Sequence, residues 1–161
     1  MKTVSKQVRL GLAVTQGGAN TDGVSNTEVD PFDRGDGFLL RAILFRLDPT
    51  KLADIGADAS VQIQVYASTD AIPTGEYAVS DKHIIASYSF AVALTTSGVG
   101  VIPAEHRWDA PDGSLIIGAA NIGIIAASAG CTSALVAAAE LFGDSVSLTT
   151  EEIALSRERF T

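Results

Sequence analysis

The sequence has very few of the residues from which catalytic and metal-binding motifs are built. Its 161 residues include one cysteine and two histidines, so it can form neither an intramolecular disulfide framework nor a three-histidine metal site. It has no glycine-rich phosphate loop and no C-x-x-C, H-E-x-x-H or G-x-S-x-G motif. We therefore expect no enzyme, no cofactor and no metal site. An enzyme that uses His106 with nearby acids is the least favoured hypothesis, and Cys131 is predicted to be a small buried apolar residue.

Positive charge is also scarce. Eleven Lys and Arg stand against 19 Asp and Glu, which gives a formal net charge of -8. A protein whose main task is to neutralise phosphates needs the opposite balance, so we expect no direct nucleic-acid binding. Charged residues make up only 19% of the chain and apolar residues 47%. This composition predicts a surface partly covered by neighbours, and hence a homo-oligomer.

Charge is missing altogether between Asp112 and Glu140, apart from the Cys131 thiol. A membrane-spanning helix needs about 20 apolar residues, so the length alone would permit one. However, the stretch is interrupted by glycine, asparagine and serine, which favours two buried strands over a helix. We predict a hairpin that turns at Ser128–Gly130, and no transmembrane segment. Its Ala-rich second strand, Ala134 to Ala139, is predicted to face a neighbouring subunit.

Elsewhere the dominant pattern is period-two alternation of apolar residues in short pieces separated by turn residues, which is typical of antiparallel sheets with one buried face. About eight strands in one domain, 1–161, predict an all-β antiparallel sandwich of jelly-roll type. The predicted strands are Val8–Val14, Phe38–Leu47, Val61–Tyr66, Ile84–Val92, Val99–Ile102, Leu115–Ile117, Ile122–Ala127 and Ala134–Phe142.

Two segments carry helix signals. Asp48-Pro49 before Gly56 combines an N-cap, a proline at the first helical position and a terminating glycine, which predicts a short internal helix. At the C-terminus, Thr149 followed by Glu152 forms a capping box, which predicts a helix over 149–160. Ile153 and Phe160 would share one face of this helix, and that face packs either on its own domain or on a neighbour.

The polar segment 15–37 is longer than the roughly 15 residues at which structureless loops become uncommon, which indicates a functional or mobile loop. Asp30, Asp33 and Asp36 lie within it. Their spacing does not match a calcium loop, so the segment is not predicted to bind a metal. We instead expect these acids, with Ile153 and Phe160, to make contacts between subunits.

The segment Glu105–Gly113 is predicted to be a loop and has the most varied chemistry in the chain. Its candidate ligand or interface residues are Arg107, Trp108, Asp109 and Asp112. The only tryptophan, flanked by acids, could form a platform for a carbohydrate. A lone tryptophan more often anchors a strand in the core or at a subunit contact, and both interpretations stay open.

Several short stretches together resemble small β-sandwich virion proteins of prokaryotic viruses. They are Val65–Asp70, Val79–Phe90, Arg107–Pro111, the apolar pair of strands around Ser128–Gly130, Ala139–Phe142 and the tail Thr149–Glu152. The resemblance implies a jelly-roll-like structural subunit, either of the capsid shell or of a decoration on it. It implies no catalytic residues, a location in the virion, and partners that are copies of the chain and other virion proteins.

Two functions of different classes follow. The leading hypothesis is a structural protein of a virus particle that acts by self-assembly. The alternative is a carbohydrate-binding β-sandwich module centred on Trp108 with Asp109 and Asp112.

Overall fold

A computed structural model describes residues 2–28, 36–49, 55–92 and 104–161. The described residues form nine strands, one α-helix and a short 3-10 turn at Pro111–Gly113. The strands are β1 (Lys2–Thr15), β2 (Gly23–Glu28), β3 (Asp36–Leu47), β4 (Ile55–Ser68), β5 (Ile84–Ala91), β6 (Glu105–Asp109), β7 (Leu115–Ile117), β8 (Asn121–Cys131) and β9 (Val136–Ser147), followed by α1 (Thr150–Arg159).

The strands form two antiparallel sheets that pack face to face. Sheet A has the order β1-β9-β3-β6, with β7 also paired to β3, and sheet B has the order β2-β8-β4-β5. First pairs with last, β1 with β9, then β2 with β8, β3 with β6 and β4 with β5. This is the pattern of one long hairpin rolled into two sheets. The predicted all-β sandwich of jelly-roll type is therefore confirmed.

One apolar core lies between the two sheets. Every strand except β2 contributes apolar residues to it, mostly at alternate positions as the period-two pattern requires. In sheet A these include Ile43, Phe45 and Leu141, and in sheet B they include Ile63, Val65, Ile122 and Ile124, all of them fully buried. Cys131 is also buried in this core, as predicted.

The charge-free stretch forms strands, as predicted, but not a hairpin. It runs through β7 and β8 into β9, and Ser128–Gly130 lies inside β8 rather than at a turn. β8 pairs with strands of sheet B and β9 with strands of sheet A, so the chain crosses from one sheet to the other between them. Apolar alternation shows that a strand is buried but not which strand it pairs with. Among the described residues, no helix is long and apolar enough to cross a membrane.

The alanines of β9 face the core of their own chain. Ala137 and Ala139 are 1% and 2% exposed, because β9 lies between β1 and β3 in sheet A and its alternate residues point inward. Only Ala138, on the outer side, is partly exposed. Ala137 and Ala139 therefore do not face a neighbour, and only the outer side of the strand, with Ala138, is left for such a contact.

Two side chains fasten the corner after β1 to the corner after β8. The buried Gln16 accepts a hydrogen bond from the backbone N–H of Leu135 (2.9 Å) and donates one to Ser128 Oγ (2.9 Å). Asn20 donates to the carbonyl of Cys131 (3.0 Å) and accepts from its N–H (2.8 Å). These bonds satisfy backbone N–H and C=O groups near the points where β1 and β8 leave their sheets.

The polar segment 15–37 is not a continuous loop. Gly23–Glu28 is an edge strand of sheet B that pairs with β8, and Asp36 and Gly37 begin β3. This strand, GVSNTE, has almost no apolar alternation, so the sequence pattern misses it, and its Asn26 hydrogen-bonds with Asn121 and Tyr66. Residues 29–35, which include Asp30 and Asp33, lie outside the described residues.

The C-terminal helix begins with the predicted capping box. The Glu152 side chain accepts from the Thr149 N–H (2.8 Å), and Thr149 Oγ1 accepts from the Glu152 N–H (3.3 Å). The backbone N–H of Thr149 lowers the pKa of the Glu152 carboxyl. The predicted internal helix falls mainly on residues 50–54, outside the described residues, and β4 already begins at Ile55. The predicted strand Val99–Ile102 is likewise outside them.

Candidate functional site

The candidate ligand residues on β6 point to opposite sides of the sheet. Arg107 and Asp109 face outward and form an exposed ion pair with an N–O distance of 2.9 Å. Trp108 lies between them and packs, partly buried, against the core. Asp112 is exposed in the 3-10 turn, with a φ of 55°. The segment was predicted to be a loop, but its first half is an edge strand, and strand alternation separates Trp108 from the acids.

The predicted contact residues of α1 hold the helix to its own domain. Phe160 is fully buried in the main core. Ile153 packs against a second apolar cluster of Leu39, Val146 and Leu148. Phe160 therefore packs within its own chain, whereas Ile153 is only partly buried and its contact with a neighbouring subunit stays a prediction. Leu155, which the sequence reasoning did not single out, is instead 61% exposed. Asp36 is the first residue of β3.

The outer side of sheet A is a broad surface of paired charges, which we call the sheet A face. It consists of Arg9, Gly11, Ala13, Arg41, Leu44, Arg46, Glu105, Arg107, Asp109, Ala138, Glu140, Phe142 and Asp144. Arg46 lies 3.2 Å from Glu105 and 3.5 Å from Glu140, and Arg9 also reaches Glu140 at 3.5 Å. These contacts link β1, β9, β3 and β6 in one network.

Two further contacts complete this face. Arg41 pairs with Asp144 at 2.7 Å, and the guanidinium of Arg9 lies 5.0 Å from the centre of the Phe142 ring. The arginine side chains in the ion pairs are between 48% and 73% exposed, whereas Glu140 and Asp144 are only 24% and 15% exposed. The pairs in which both side chains are exposed, Arg46–Glu105 and Arg107–Asp109, contribute only about 0 to 1 kcal/mol each to stability. They can therefore be exchanged for pairs with another surface at little cost.

The outer side of sheet B is divided in two, and one half is covered. The connection from Thr69 to His83 lies over it, because Gln64 exchanges two hydrogen bonds with the backbone of Tyr77 (2.8 and 2.9 Å). Tyr66 lies flat across Gly123 and donates to Asn26 Oδ1 on β2 (2.8 Å). A Cβ at Gly123 would clash with the Tyr66 ring and with the Ser25 carbonyl. Burial raises the pKa of Tyr66 to about 12.

An aromatic stack ends this covered half. The Tyr77 and His83 rings are parallel, with centroids 5.1 Å apart, and Tyr77 meets Tyr66 edge-on at 5.9 Å. Asp81 accepts from the N–H of His83 (2.9 Å) and contacts its Nδ1 (2.7 Å). The backbone hydrogen bond from His83 lowers the pKa of the Asp81 carboxyl. The stack therefore orders the connection rather than presenting a histidine to solvent.

The other half of sheet B's outer side is an open groove of about 530 Å³, which we call the sheet B groove. Its floor consists of two rows across three strands, Ala91-Ser60-Ala129 and Ser89-Gln62-Ala127. Asp22 and Glu76 line it as well. One carboxylate oxygen of Asp22 accepts from the Glu76 N–H (2.8 Å). No lysine, arginine or histidine lines the groove in the described part of the chain.

No group of three or more His, Cys, Asp or Glu side chains is placed to hold a metal ion in the ranges that the structure describes. Asp30 and Asp33, the acids for which calcium was considered, are outside those ranges.

Comparison with known proteins gives little further information. No protein-family model matches the sequence, and no curated protein matches it. One similar solved structure is that of infectious bursal disease virus, Gt strain, at 10% sequence identity and a TM-score of 0.29. The match covers 95% of this chain and 32% of the viral chain. A TM-score this low carries no argument about function.

Proposed function

We propose that this protein is a structural subunit of a virus particle, in the capsid shell or as a decoration on it, and that it acts by self-assembly. Its partners would be copies of itself and other virion proteins, with no catalytic role and no direct binding of nucleic acid. The jelly roll supports the proposal, since double-sheet jelly rolls form viral capsid domains as well as lectins and cupins. Fold alone does not decide among these functions. The sheet A face favours the structural role.

The sheet A face is the observation that carries the proposal. The cations in its described ion pairs are all arginines, and Phe142 lies near its centre beneath Arg9. Protein interfaces are enriched in arginine and aromatic residues. Because acids and arginines alternate across the face, a second copy rotated by 180° can place arginines against acids. Such a surface favours a specific neighbour and disfavours random association.

Charge reversal at the centre of the face tests this proposal. Arg46→Glu places a third acid beside Glu105 and Glu140, whereas Lys82→Glu makes the same charge change in an exposed loop on the other sheet. We expect the wild type and Lys82→Glu to assemble in light scattering and electron microscopy, and Arg46→Glu to remain monomeric. Thermal melting controls for loss of folding.

A stable wild-type monomer that associates with no virion component would overturn the proposal. Assembly of Arg46→Glu at the wild-type concentration would show that the sheet A face is not the contact surface.

A further inference from the structure

The sheet B groove has the shape and chemistry of a ligand site. We propose that it binds a neutral saccharide, so that the protein recognises a glycan in addition to its proposed structural role. We place the saccharide in this groove on sheet B rather than at Trp108. The ring of Trp108 packs against the core, and β6 belongs to sheet A.

The dimensions of the groove fit a small oligosaccharide. Its volume of about 530 Å³ lies within the roughly 300 to 1,000 Å³ range of ligand pockets. Three alanines and two serines occupy five of the six floor positions. Because none of these side chains is longer than two heavy atoms, the ring of a sugar can approach the sheet closely.

The polar groups of the groove are available to a ligand. Ser60, Gln62 and Ser89 make no side-chain hydrogen bond within the described residues. Asp22 accepts the Glu76 N–H with one carboxylate oxygen, and its other oxygen has no hydrogen bond to the part of the chain that the structure describes. Serine hydroxyls and the glutamine amide both donate and accept, while carboxylates only accept. This mixture matches sugar hydroxyls, each of which is both a donor and an acceptor.

The charge of the groove restricts the class of saccharide. The two acids Asp22 and Glu76 are not balanced by a cation in the described lining. An anionic ligand, such as a sialylated or sulfated glycan, would be repelled. The floor between the acids is neutral, so most of the hydrogen bonds would come from uncharged groups. These uncharged groups favour a neutral sugar over a basic peptide. The cationic side chains of a peptide would lose hydrating water on binding, and more than two acids would be needed to compensate for that loss.

The walls of the groove are held in place by contacts within the chain. Gly75 lies so close to Asp22 that a Cβ there would be 2.6 Å from the carboxylate oxygen, and this close approach holds Asp22 against the Thr69–His83 connection. Ser128, at the other end, is bonded to the buried Gln16. A preformed site loses less conformational freedom on binding.

The experiment is a glycan array with neutral and sialylated oligosaccharides and an arginine-rich peptide, followed by solution titration of each neutral glycan that binds. Ala129→Trp fills the groove at an exposed floor position, and Ala13→Trp is the matched control at an exposed position on the sheet A face. We expect Ala129→Trp to weaken binding at least about tenfold. Gln62→Ala should weaken it about threefold to tenfold, as loss of one or two hydrogen bonds does. Ala13→Trp and Trp108→Ala should not change it.

The proposal is overturned if the folded wild type binds no neutral glycan, or binds only sialylated glycans or the peptide. It is equally overturned if Ala129→Trp binds as the wild type does, or if Trp108→Ala, shown to be folded by thermal melting, alone abolishes binding. Particle formation is measured on the same samples, so that failure of glycan binding can be distinguished from failure of assembly. Ala129→Trp should assemble normally, so lost glycan binding with intact assembly concerns the groove alone.

Discussion

The outer side of sheet A carries ion pairs with exposed arginines and is covered at one end by α1, where Ile153 packs on Leu39 and Val146, whereas the outer side of sheet B is half covered by an aromatic connection and half open as a groove. On sheet A the charges pair with one another across four strands, and the contacts in which both side chains are exposed are weak because water surrounds them. On sheet B a few buried hydrogen bonds, such as that of Tyr66 to Asn26, hold a connection in place. One face is therefore suited to exchange partners, and the other to keep a fixed shape.

A pair of glycine substitutions tests this contrast with the largest expected effect. Gly123→Ala on β8 would force a Cβ into the Tyr66 ring and the Ser25 carbonyl, and we expect it to lower the free energy of unfolding by about 3 kcal/mol. Gly11→Ala on β1 meets nothing within 4 Å and should raise it by about 0.5 kcal/mol, since glycine weakens a strand. Urea denaturation measures both. Equal effects would contradict the contrast.

The Tyr66 hydroxyl tests the covered half of sheet B. Tyr66→Phe leaves Asn26 without this donor, and we expect a loss of about 1 kcal/mol of stability at neutral pH. Because the pKa of Tyr66 is raised from 10.0 to about 12, the unfolded chain ionises first as the pH rises. The contribution of Tyr66 to the free energy of unfolding is complete below about pH 10 and is lost between about pH 10 and 12.

Denaturation through that pH window distinguishes Tyr66 from other tyrosines. Burial also raises the pKa of Tyr77 and of Tyr88, so the Tyr66→Phe variant should still lose stability, but less steeply than the wild type. Identical slopes for the two proteins would show that the Tyr66 hydroxyl is not buried as described.

The smallest expected effect concerns the ion pairs of sheet A. Arg107→Gln removes the 2.9 Å contact with Asp109, and we expect the free energy of unfolding to change by less than about 1 kcal/mol because the two side chains are 67% and 66% exposed. Added salt should reduce the difference further. A loss of several kcal/mol in denaturation would mean that this face is part of the stabilising framework rather than a surface free to bind.

The sequence predicts the strands with strong apolar alternation and misses those without it. β1 has buried or half-buried residues at every second position from Val8 to Val14, and β5 has them from Ala86 to Phe90, so their sequences are sufficient. β2 and β6 are short, polar edge strands whose pairing depends on β8 and β3. The capping box of α1 was predictable because both of its partners lie within four residues of each other.

The candidate site follows the same division. Trp108 and the acids beside it stand out in the sequence, yet alternation along β6 places them on opposite sides of the sheet. The residues of the sheet B groove come from β4, β5, β8 and two connections. None of these residues forms a local motif in the sequence. Small residues at outward positions of neighbouring strands are a weak pattern for the groove, and that pattern is visible only once the strand pairing is known.

By itself the sequence determined that this chain forms a β-sandwich, that its charge-free stretch is buried as strands, and that a capped helix ends it. These properties depend on side-chain chemistry at short spacing, which a linear pattern contains. The tertiary structure decided that β8 and β9 lie in opposite sheets, that Phe160 is used within the domain, and that one outer side carries ion pairs while the other carries a groove. Those properties depend on which distant strands pair, and that is settled by packing over the whole chain rather than by any one segment.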